Sequence, residues 1–134
     1  MAQVLKIEDD LDKVFKFFKK HCDTYFNTEC CGFLGIKNNQ FIGEITANRS
    51  PNPNLFFYID PMDFIKFSTE NELIAIFHSH TNSDAVFSDW DKEASEAACV
   101  PYLVYSVQQN KFAFYIPENH EIDVNILDKV KGLL

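Results

Sequence analysis

Residues 73–91 of the sequence read LIAIFHSHTNSDAVFSDWD. The segment from residue 73 to residue 77 is wholly apolar and has polar neighbours on both sides, which is typical of a central strand covered on both faces. His78 and His80 follow directly, and Asp91 lies at the start of a helix that we predict over residues 88–99. The stretch therefore predicts a buried strand, a loop and a packed helix in succession.

His78, His80 and Asp91 are candidate ligands of one metal ion. Residues two apart on a strand point to the same side, so both imidazoles can face the ion while Ser79 faces away. Asp91 adds a third ligand from a separate element and leaves the fourth tetrahedral position open, which is typical of a catalytic zinc site. Ser88 and Asp91 also fit a helix capping box, and the two interpretations are compatible. The combined pattern His-x-His-x7-Ser-x2-Asp should arise by chance in about one chain in two thousand.

Helices and strands alternate through the rest of the chain. Strands are predicted at residues 31–36, 41–46 and 56–59, with a hairpin of residues 102–107 and 112–116. Further helices are predicted at residues 9–21, from Asp60-Pro61 onward, and in the tail at residues 122–134, which either covers the core or docks on a partner. This alternation indicates an α/β (α+β) fold with three layers, a mixed sheet flanked by helices.

Length and charge limit the classes of partner. A chain of 134 residues with 46% hydrophobic content predicts a single domain over residues 1–134, with residues 122–134 as a C-terminal helical extension. Its formal charge of −8 predicts no nucleic-acid partner and no anionic membrane surface. We see neither a secretory signal nor a run as long as a membrane span, so we expect a cytoplasmic protein. The sequence makes no prediction of oligomeric state.

The four cysteines, Cys22, Cys30, Cys31 and Cys99, follow no known disulfide framework. Cys30 and Cys31 are neighbours and would pair only with strain. We therefore expect reduced thiols in or near the core. A second metal site built from His21 and the first three cysteines is disfavoured, because the spacing lacks the Cys-x-x-Cys repeat of structural zinc sites.

Residues 78–91 resemble the signature of the JAMM metalloproteases, also called MPN-plus domains, in which a Glu well upstream precedes His-Ser/Thr-His-x7-Ser-x2-Asp. Upstream, Glu29-Cys-Cys-Gly-Phe-Leu34 resembles the Glu-Cys-Cys-Gly-Leu-Leu segment of the prokaryotic members. Residues 50–61 resemble their Asn-Pro…Ile-Asp-Pro segment, so the resemblance covers about residues 9–117. Thr81 departs from the Pro that many relatives have after the second histidine.

This resemblance implies a cytidine-deaminase-like JAMM/MPN core and a zinc-dependent metallopeptidase that hydrolyses a peptide or isopeptide bond. It implies one Zn²⁺ per chain held by His78, His80 and Asp91, with Glu29 as the general base for a zinc-activated water and Ser88 as the hydroxyl donor to the oxyanion. Periodicity alone does not single out Glu29. The expected partner is a protein or peptide substrate, such as a phage tail protein or a ubiquitin-like sulfur carrier.

Three other classes compete with this interpretation. The main alternative is a non-catalytic scaffold of the same fold, such as a phage tail assembly component, and the intact ligand set argues against it. A zinc deaminase needs Pro-Cys-x-x-Cys, and Cys99 supplies only one thiol. A cupin-like set of His78, His80 and Asp84 needs a final histidine, and His120 lies in a predicted turn.

Substrate specificity is expected to reside in the loops at residues 48–54 and 81–87, because loops carry recognition on rigid scaffolds. The aromatic run at residues 56–58 and Trp90 are more simply explained as core residues in a chain with fourteen phenylalanines. In the family that the chain resembles, substrate chains often bind as an added strand.

Overall fold

The computed structural model describes residues 5–134, which form one mixed sheet of six strands with four helices. In chain order the elements are β1 (Leu5–Asp9), α1 (Leu11–Thr24), β2 (Cys31–Lys37), β3 (Gln40–Thr46), α2 (Pro61–Glu70), β4 (Glu72–His80), α3 (Asp89–Ala98), β5 (Tyr102–Ser106), β6 (Lys111–Tyr115) and α4 (Val124–Lys131). The strand order in the sheet is β1-β3-β2-β4-β5-β6. Only β4 and β5 pair in parallel, because helix α3 returns the chain between them.

Helices cover both faces of the sheet. On one face Phe18 of α1 stacks on Phe77 of β4 with 4.1 Å between ring centroids, and Val130 of α4 is fully buried in the same cluster. On the other face Phe67 of α2 stacks on Phe33 of β2 at 4.8 Å. The predicted three-layer architecture is therefore confirmed, and the tail helix packs on the core. No helix between residues 5 and 134 is long and apolar enough to cross a membrane.

Strand β4 is the buried central strand that the apolar run predicts. It pairs antiparallel with β2 and parallel with β5, and it is buried from Ile74 through His80. Its register with β2 sets Cys31 opposite His78. The residues just before Cys31 therefore lie beside the end of β4 that carries both histidines.

Helices α2 and α3 begin where the sequence predicts. Asp60 caps α2 by accepting a hydrogen bond from the backbone N–H of Met62 at 2.9 Å, and Pro61 is the first helical residue. Ser88 caps α3, which ends at Cys99 in the left-handed conformation with φ 55°. The hairpin of β5 and β6 is also confirmed.

The sequence-based prediction misses strand β1 and starts the first helix too early. Residues 5–9 pair antiparallel with β3 at the sheet edge, and α1 begins at Leu11 instead of residue 9. The strand is only five residues long and is partly exposed, so its apolar alternation is weak. Its acidic end at Glu8 and Asp9 imitates the first turn of a helix.

The prediction of a strand at residues 56–59 is wrong. These residues form an extended loop that does not pair with any strand of the described sheet. Their backbone groups form hydrogen bonds with other loop residues instead. Tyr58 donates its N–H to the side chain of Asn48 at 3.0 Å, and its carbonyl accepts the N–H of Arg49 at 2.8 Å. Aromatic composition favoured a strand, but these local partners satisfied the backbone instead.

All four cysteines carry free thiols, as expected. Cys22, Cys30 and Cys31 are buried, whereas Cys99 is exposed at the end of α3, so the core interpretation is wrong for that residue.

Gly32 permits the close approach of β2 and β3. A Cβ atom at this position would lie 1.8 Å from the carbonyl oxygen of Glu44, which is a backbone atom that cannot move aside without opening the sheet. We expect Gly32→Ala to lower the free energy of unfolding by at least about 3 kcal/mol. Gly132→Ala is the matched control, because a Cβ there meets nothing nearer than 3.6 Å. Chemical denaturation of both variants tests this, and equal stabilities would contradict it.

Candidate metal centre

The end of β4 and the first turn of α3 bring three potential ligands together. The Nε2 atoms of His78 and His80 lie 3.2 Å apart. The two carboxylate oxygens of Asp91 lie 3.5 Å from His78 Nε2 and 3.4 Å from His80 Nε2. Among residues 5–134 this is the one group of three such side chains whose ligand atoms lie within 4.8 Å of one another. The strand geometry predicted from the His-x-His spacing is thus observed.

These separations fit a tetrahedral metal ion. With ligand bonds of 2.0–2.1 Å, the ligand atoms of a tetrahedral zinc site are about 3.3 Å apart, which is close to all three distances here. Two imidazole nitrogens that face each other at 3.2 Å repel unless a proton or a cation lies between them. The set of two nitrogen donors and one carboxylate can therefore bind a metal ion.

Different contacts fix the two imidazole rings. His80 donates its Nδ1–H to the carbonyl of Asp84 at 2.9 Å, which leaves the lone pair of Nε2 free for a metal ion. His78 is stacked on Phe57 at 4.5 Å between ring centroids and meets the edge of Tyr102 at 5.6 Å. Its Nδ1 has no hydrogen-bond partner within residues 5–134, so aromatic packing holds this ring.

Asp91 belongs to the helix cap as well as to the ligand set. Its backbone N–H donates to Ser88 Oγ at 3.1 Å, and its carboxylate accepts the N–H of Ser88 at 3.3 Å. This reciprocal pair is the capping box that the Ser-x-x-Asp spacing predicts. The cap directs the carboxylate toward the histidines, so the capping role of Asp91 is compatible with a role as a metal ligand.

The protonation preferences of His78 and Asp91 suit metal binding, whereas a raised pKa at His80 favours the protonated ring, which a cation would have to displace. Complete burial lowers the pKa of His78, which favours the neutral ring. Burial alone also lowers the pKa of His80, but the adjacent Asp91 carboxylate and the hydrogen bond to the Asp84 carbonyl outweigh that effect and raise it. Burial alone raises the pKa of Asp91, yet the hydrogen bonds from both histidines hold it well below its usual range. Asp91 is therefore a carboxylate.

Glu29, the proposed base, lies beside this set but outside it. Its side chain lines the same cavity as His80, Ser88 and Asp91. Burial raises the pKa of Glu29 to about 7, while His80 lowers this pKa and the charge of Asp91 raises it further. Glu29 therefore shares the cavity of His80 and Asp91 without belonging to the ligand group.

Residues 12–117 match the profile of the prokaryotic homologs of the JAB domain. The chain belongs to this family. The resemblance drawn from the histidine motif is therefore confirmed. A solution structure of protein DSY2949 from Desulfitobacterium hafniense is similar in fold, with a TM-score of 0.57 and 20% identity over 76% of this chain and 77% of that one.

One relative of this JAB domain is the tail tip assembly protein K of Escherichia phage N15. The two are 27% identical over 86 residues, which is 64% of this chain and 35% of the phage protein. The chain thus matches about a third of the length of that relative.

Asn48 holds the Glu29 segment of this JAB domain in place, and sequence reasoning missed it. Its amide donates to the carbonyls of Glu29 at 2.8 Å and Phe56 at 2.9 Å. Its Oδ1 accepts the N–H groups of Ser50 and Tyr58, each at 3.0 Å. One side chain therefore joins three loop segments around the site. The sequence feature that could have indicated this role is the position of an Asn between a predicted strand and a Pro-rich loop.

Ser79 supports the same segment from the opposite side of β4. Its Oγ accepts the N–H of Cys30 at 2.8 Å, and its own N–H donates to the Cys30 carbonyl at 2.9 Å. Ser79 is fully buried and faces away from the ligands, as predicted. The strand thus presents ligands on one side and anchors the neighbour of Glu29 on the other.

A cavity of about 1130 Å³ opens over the candidate metal centre. Both loops that were predicted to govern specificity line it, and they meet where Thr81 Oγ1 donates to the Asn54 carbonyl at 3.4 Å. Phe56, Tyr58 and Trp90 also line it and are 58%, 55% and 77% exposed. The core interpretation of these aromatic residues is therefore wrong.

We expect Asp91→Asn to weaken metal binding at least about a hundredfold. The amide still accepts the cap hydrogen bond from Ser88, but it lacks the anionic charge of a carboxylate ligand. Asp89→Asn is the matched control, since Asp89 is an exposed acid in the same helical turn. Metal content by mass spectrometry and metal-dependent thermal stabilisation measure the difference. Equal metal affinity in the two variants would remove Asp91 from the ligand set.

We expect Asn48→Ala to lower the free energy of unfolding by about 1–3 kcal/mol, because it leaves the backbone groups of Glu29 and Tyr58 without partners. Asn54→Ala, an exposed asparagine in the same loop, should change stability by less than about 0.5 kcal/mol. Urea denaturation compares the two. Hydrogen exchange of the amides at residues 50 and 58 should rise only in Asn48→Ala, and unchanged exchange there would contradict this role.

Proposed function

We propose that this JAB domain is a zinc-dependent metallopeptidase that hydrolyses a peptide or isopeptide bond. One observation carries the proposal: the ligand atoms of His78, His80 and Asp91 lie 3.2–3.5 Å apart, and His80 and Asp91 line an open cavity that Glu29 also lines. A buried set of three ligands with an open side is the arrangement of catalytic zinc sites, whereas structural sites are closed by four protein ligands.

Zinc is the metal that this donor set favours. Two imidazoles and one carboxylate, spaced for tetrahedral coordination, match the ligands of hydrolytic zinc enzymes. We propose one ion per chain, because residues 5–134 contain one such group. When bound, zinc makes a water molecule more acidic and polarises the substrate carbonyl.

Glu29 is proposed to move the proton during hydrolysis. Its carboxylate accepts a proton from the attacking water and then gives that proton to the departing amine. The role requires a carboxylate near the ligands that does not itself bind the metal, and Glu29 lines the cavity without belonging to the ligand group. Hydrogen bonds from Asn48 and to Pro53 hold its backbone.

Ser88 is proposed to stabilise the oxyanion that forms on the substrate carbonyl. Its oxygen accepts the N–H of Asp91, so the hydroxyl hydrogen remains available to donate into the cavity. A fixed donor aimed at developing negative charge contributes on the order of a few kcal/mol to catalysis. The capping role fixes the position of Ser88 before the substrate arrives.

The substrate is proposed to be a protein, and the phage relative indicates one class. That relative is a tail tip assembly protein, so a protein of phage tail assembly is the first candidate, with ubiquitin-like proteins as the second. The scaffold alternative is also compatible with that relative. The open cavity over an intact ligand set favours the enzyme, because a scaffold needs neither.

We expect Glu29→Gln to lower kcat by about 10²–10⁴-fold while zinc stays bound, because the amide cannot accept the proton of water. Glu44→Gln is the matched control, a half-buried glutamate in β3 outside the cavity. Zinc-loaded proteins are incubated with a peptide library and with ubiquitin-like fusions, and mass spectrometry identifies the products.

Unchanged turnover in Glu29→Gln would remove this residue as the base. A wild-type protein that holds zinc and cleaves no substrate in the screen would support the scaffold alternative instead.

A further inference from the structure

The cavity over the candidate metal centre has apolar walls from two separate segments. Leu55, Phe56 and Tyr58 form one wall, and Val86 and Trp90 form the other. Each of these five side chains is at least 55% exposed. Exposed apolar residues that cluster around a single cleft mark a binding surface more often than scattered ones do.

Among the side chains of this cavity that can carry charge, Arg49 is the one to which we assign neither metal binding nor proton transfer. Four of the side chains that line the cavity can carry charge: Glu29, Arg49, His80 and Asp91. The ligands and the base account for three of them. Arg49 is also the only arginine of the chain.

The setting of Arg49 leaves its guanidinium free for a ligand. The side chain is exposed and forms no ion pair within residues 5–134, although the chain has twenty acidic residues. Its backbone is held, because its N–H donates to the Tyr58 carbonyl at 2.8 Å and the neighbouring Asn48 is fixed by four hydrogen bonds. A cation is thus anchored at the rim of an apolar cleft.

We propose that the cavity selects a substrate segment in which a large apolar side chain is adjacent to a carboxylate. The apolar side chain lies between the wall at residues 55–58 and the wall at Val86 and Trp90, and the carboxylate pairs with Arg49. Arginine binds carboxylates with two parallel hydrogen bonds, and this geometry distinguishes a carboxylate from an amide of equal size. The inference rests on the proposed function in that it assigns the specificity of the same site.

Trp90 provides a direct assay for binding. It is the only tryptophan of the chain, it is 77% exposed and it lines the cavity, so its fluorescence should change when a peptide enters. The zinc-loaded Glu29→Gln protein is used, so that binding is measured without turnover. Four peptides serve as probes: Gly-Phe-Glu-Gly, Gly-Phe-Gln-Gly and Gly-Ala-Glu-Gly, each blocked at both ends, and Gly-Gly-Phe, which is blocked only at its N-terminus and has a free C-terminal carboxylate.

We expect the Phe-Glu peptide to bind about tenfold more tightly than the Phe-Gln peptide, and more tightly than the Ala-Glu peptide. Arg49→Gln should remove the preference for Glu, and Arg49→Lys should retain only part of it. Lys92→Gln is the matched control, since it removes an exposed positive charge from α3 outside the cavity and should leave the preference unchanged. The preference should also weaken as salt is raised.

The free-carboxylate peptide distinguishes two sources of the acidic group. If it binds as tightly as the Phe-Glu peptide, Arg49 recognises a chain terminus equally well; if it binds like the Phe-Gln peptide, the acidic side chain is the determinant. Equal binding of the Phe-Glu and Phe-Gln peptides, no binding of any peptide, or a preference that survives Arg49→Gln would overturn the proposal. Cleavage of peptides without any charge preference would overturn it while leaving the proposed function intact. A binding preference that depends on Arg49, in a protein that cleaves no peptide, would overturn the proposed function and leave this proposal intact.

Discussion

The Asp91 carboxylate joins the first turn of α3 to the end of β4, and the candidate site depends on that junction. One of its oxygens lies 3.4 Å from His80 Nε2 and 3.3 Å from the N–H of Ser88, while the other lies 3.5 Å from His78 Nε2. A carboxylate that is 8% exposed requires such partners, because burial without them would favour its neutral form. The helix cap and the imidazoles therefore share one anion.

This junction explains why the spacing of Ser88 and Asp91 serves two purposes. A capping box requires the side chains of the N-cap residue and the third helical residue to exchange hydrogen bonds with the backbone. The same exchange turns Asp91 toward β4 and leaves the Ser88 hydroxyl at the cavity. Local helix chemistry thus builds part of the site, and α3 is the connection between the parallel strands β4 and β5.

The parts of the structure that follow local rules could be predicted from sequence. The side-chain alternation of a strand placed His78 and His80 together, and capping chemistry placed Asp91 at a helix start. Glu29 could be assigned only by family resemblance, because its position depends on the register that sets Cys31 opposite His78 across the sheet. The role of Asn48 and the edge strand β1 also depend on pairing with residues distant in sequence, which periodicity does not encode.

The burial of aromatic residues was predicted least well from the sequence, for a similar reason. Burial depends on whether another element covers a side chain, and composition does not contain that information. Residues 56–58 do not join the sheet, because Asn48 and Arg49 form hydrogen bonds with their backbone groups. Phe57 turned inward to stack on His78, while its neighbours on both sides were left exposed around the cavity.

The same arrangement concentrates negative charge where a cation would lie. Burial and the charge of Asp91 both raise the pKa of Glu29, so the nearby carboxylate of Asp91 disfavours the ionised form of Glu29. A divalent cation among these groups would reverse that preference, because it attracts both carboxylates and separates the facing imidazole nitrogens. The repulsion arises from ordinary packing of β2 against β4 and from the cap of α3. A metal ion bound here would therefore stabilise this end of the sheet through the same four side chains.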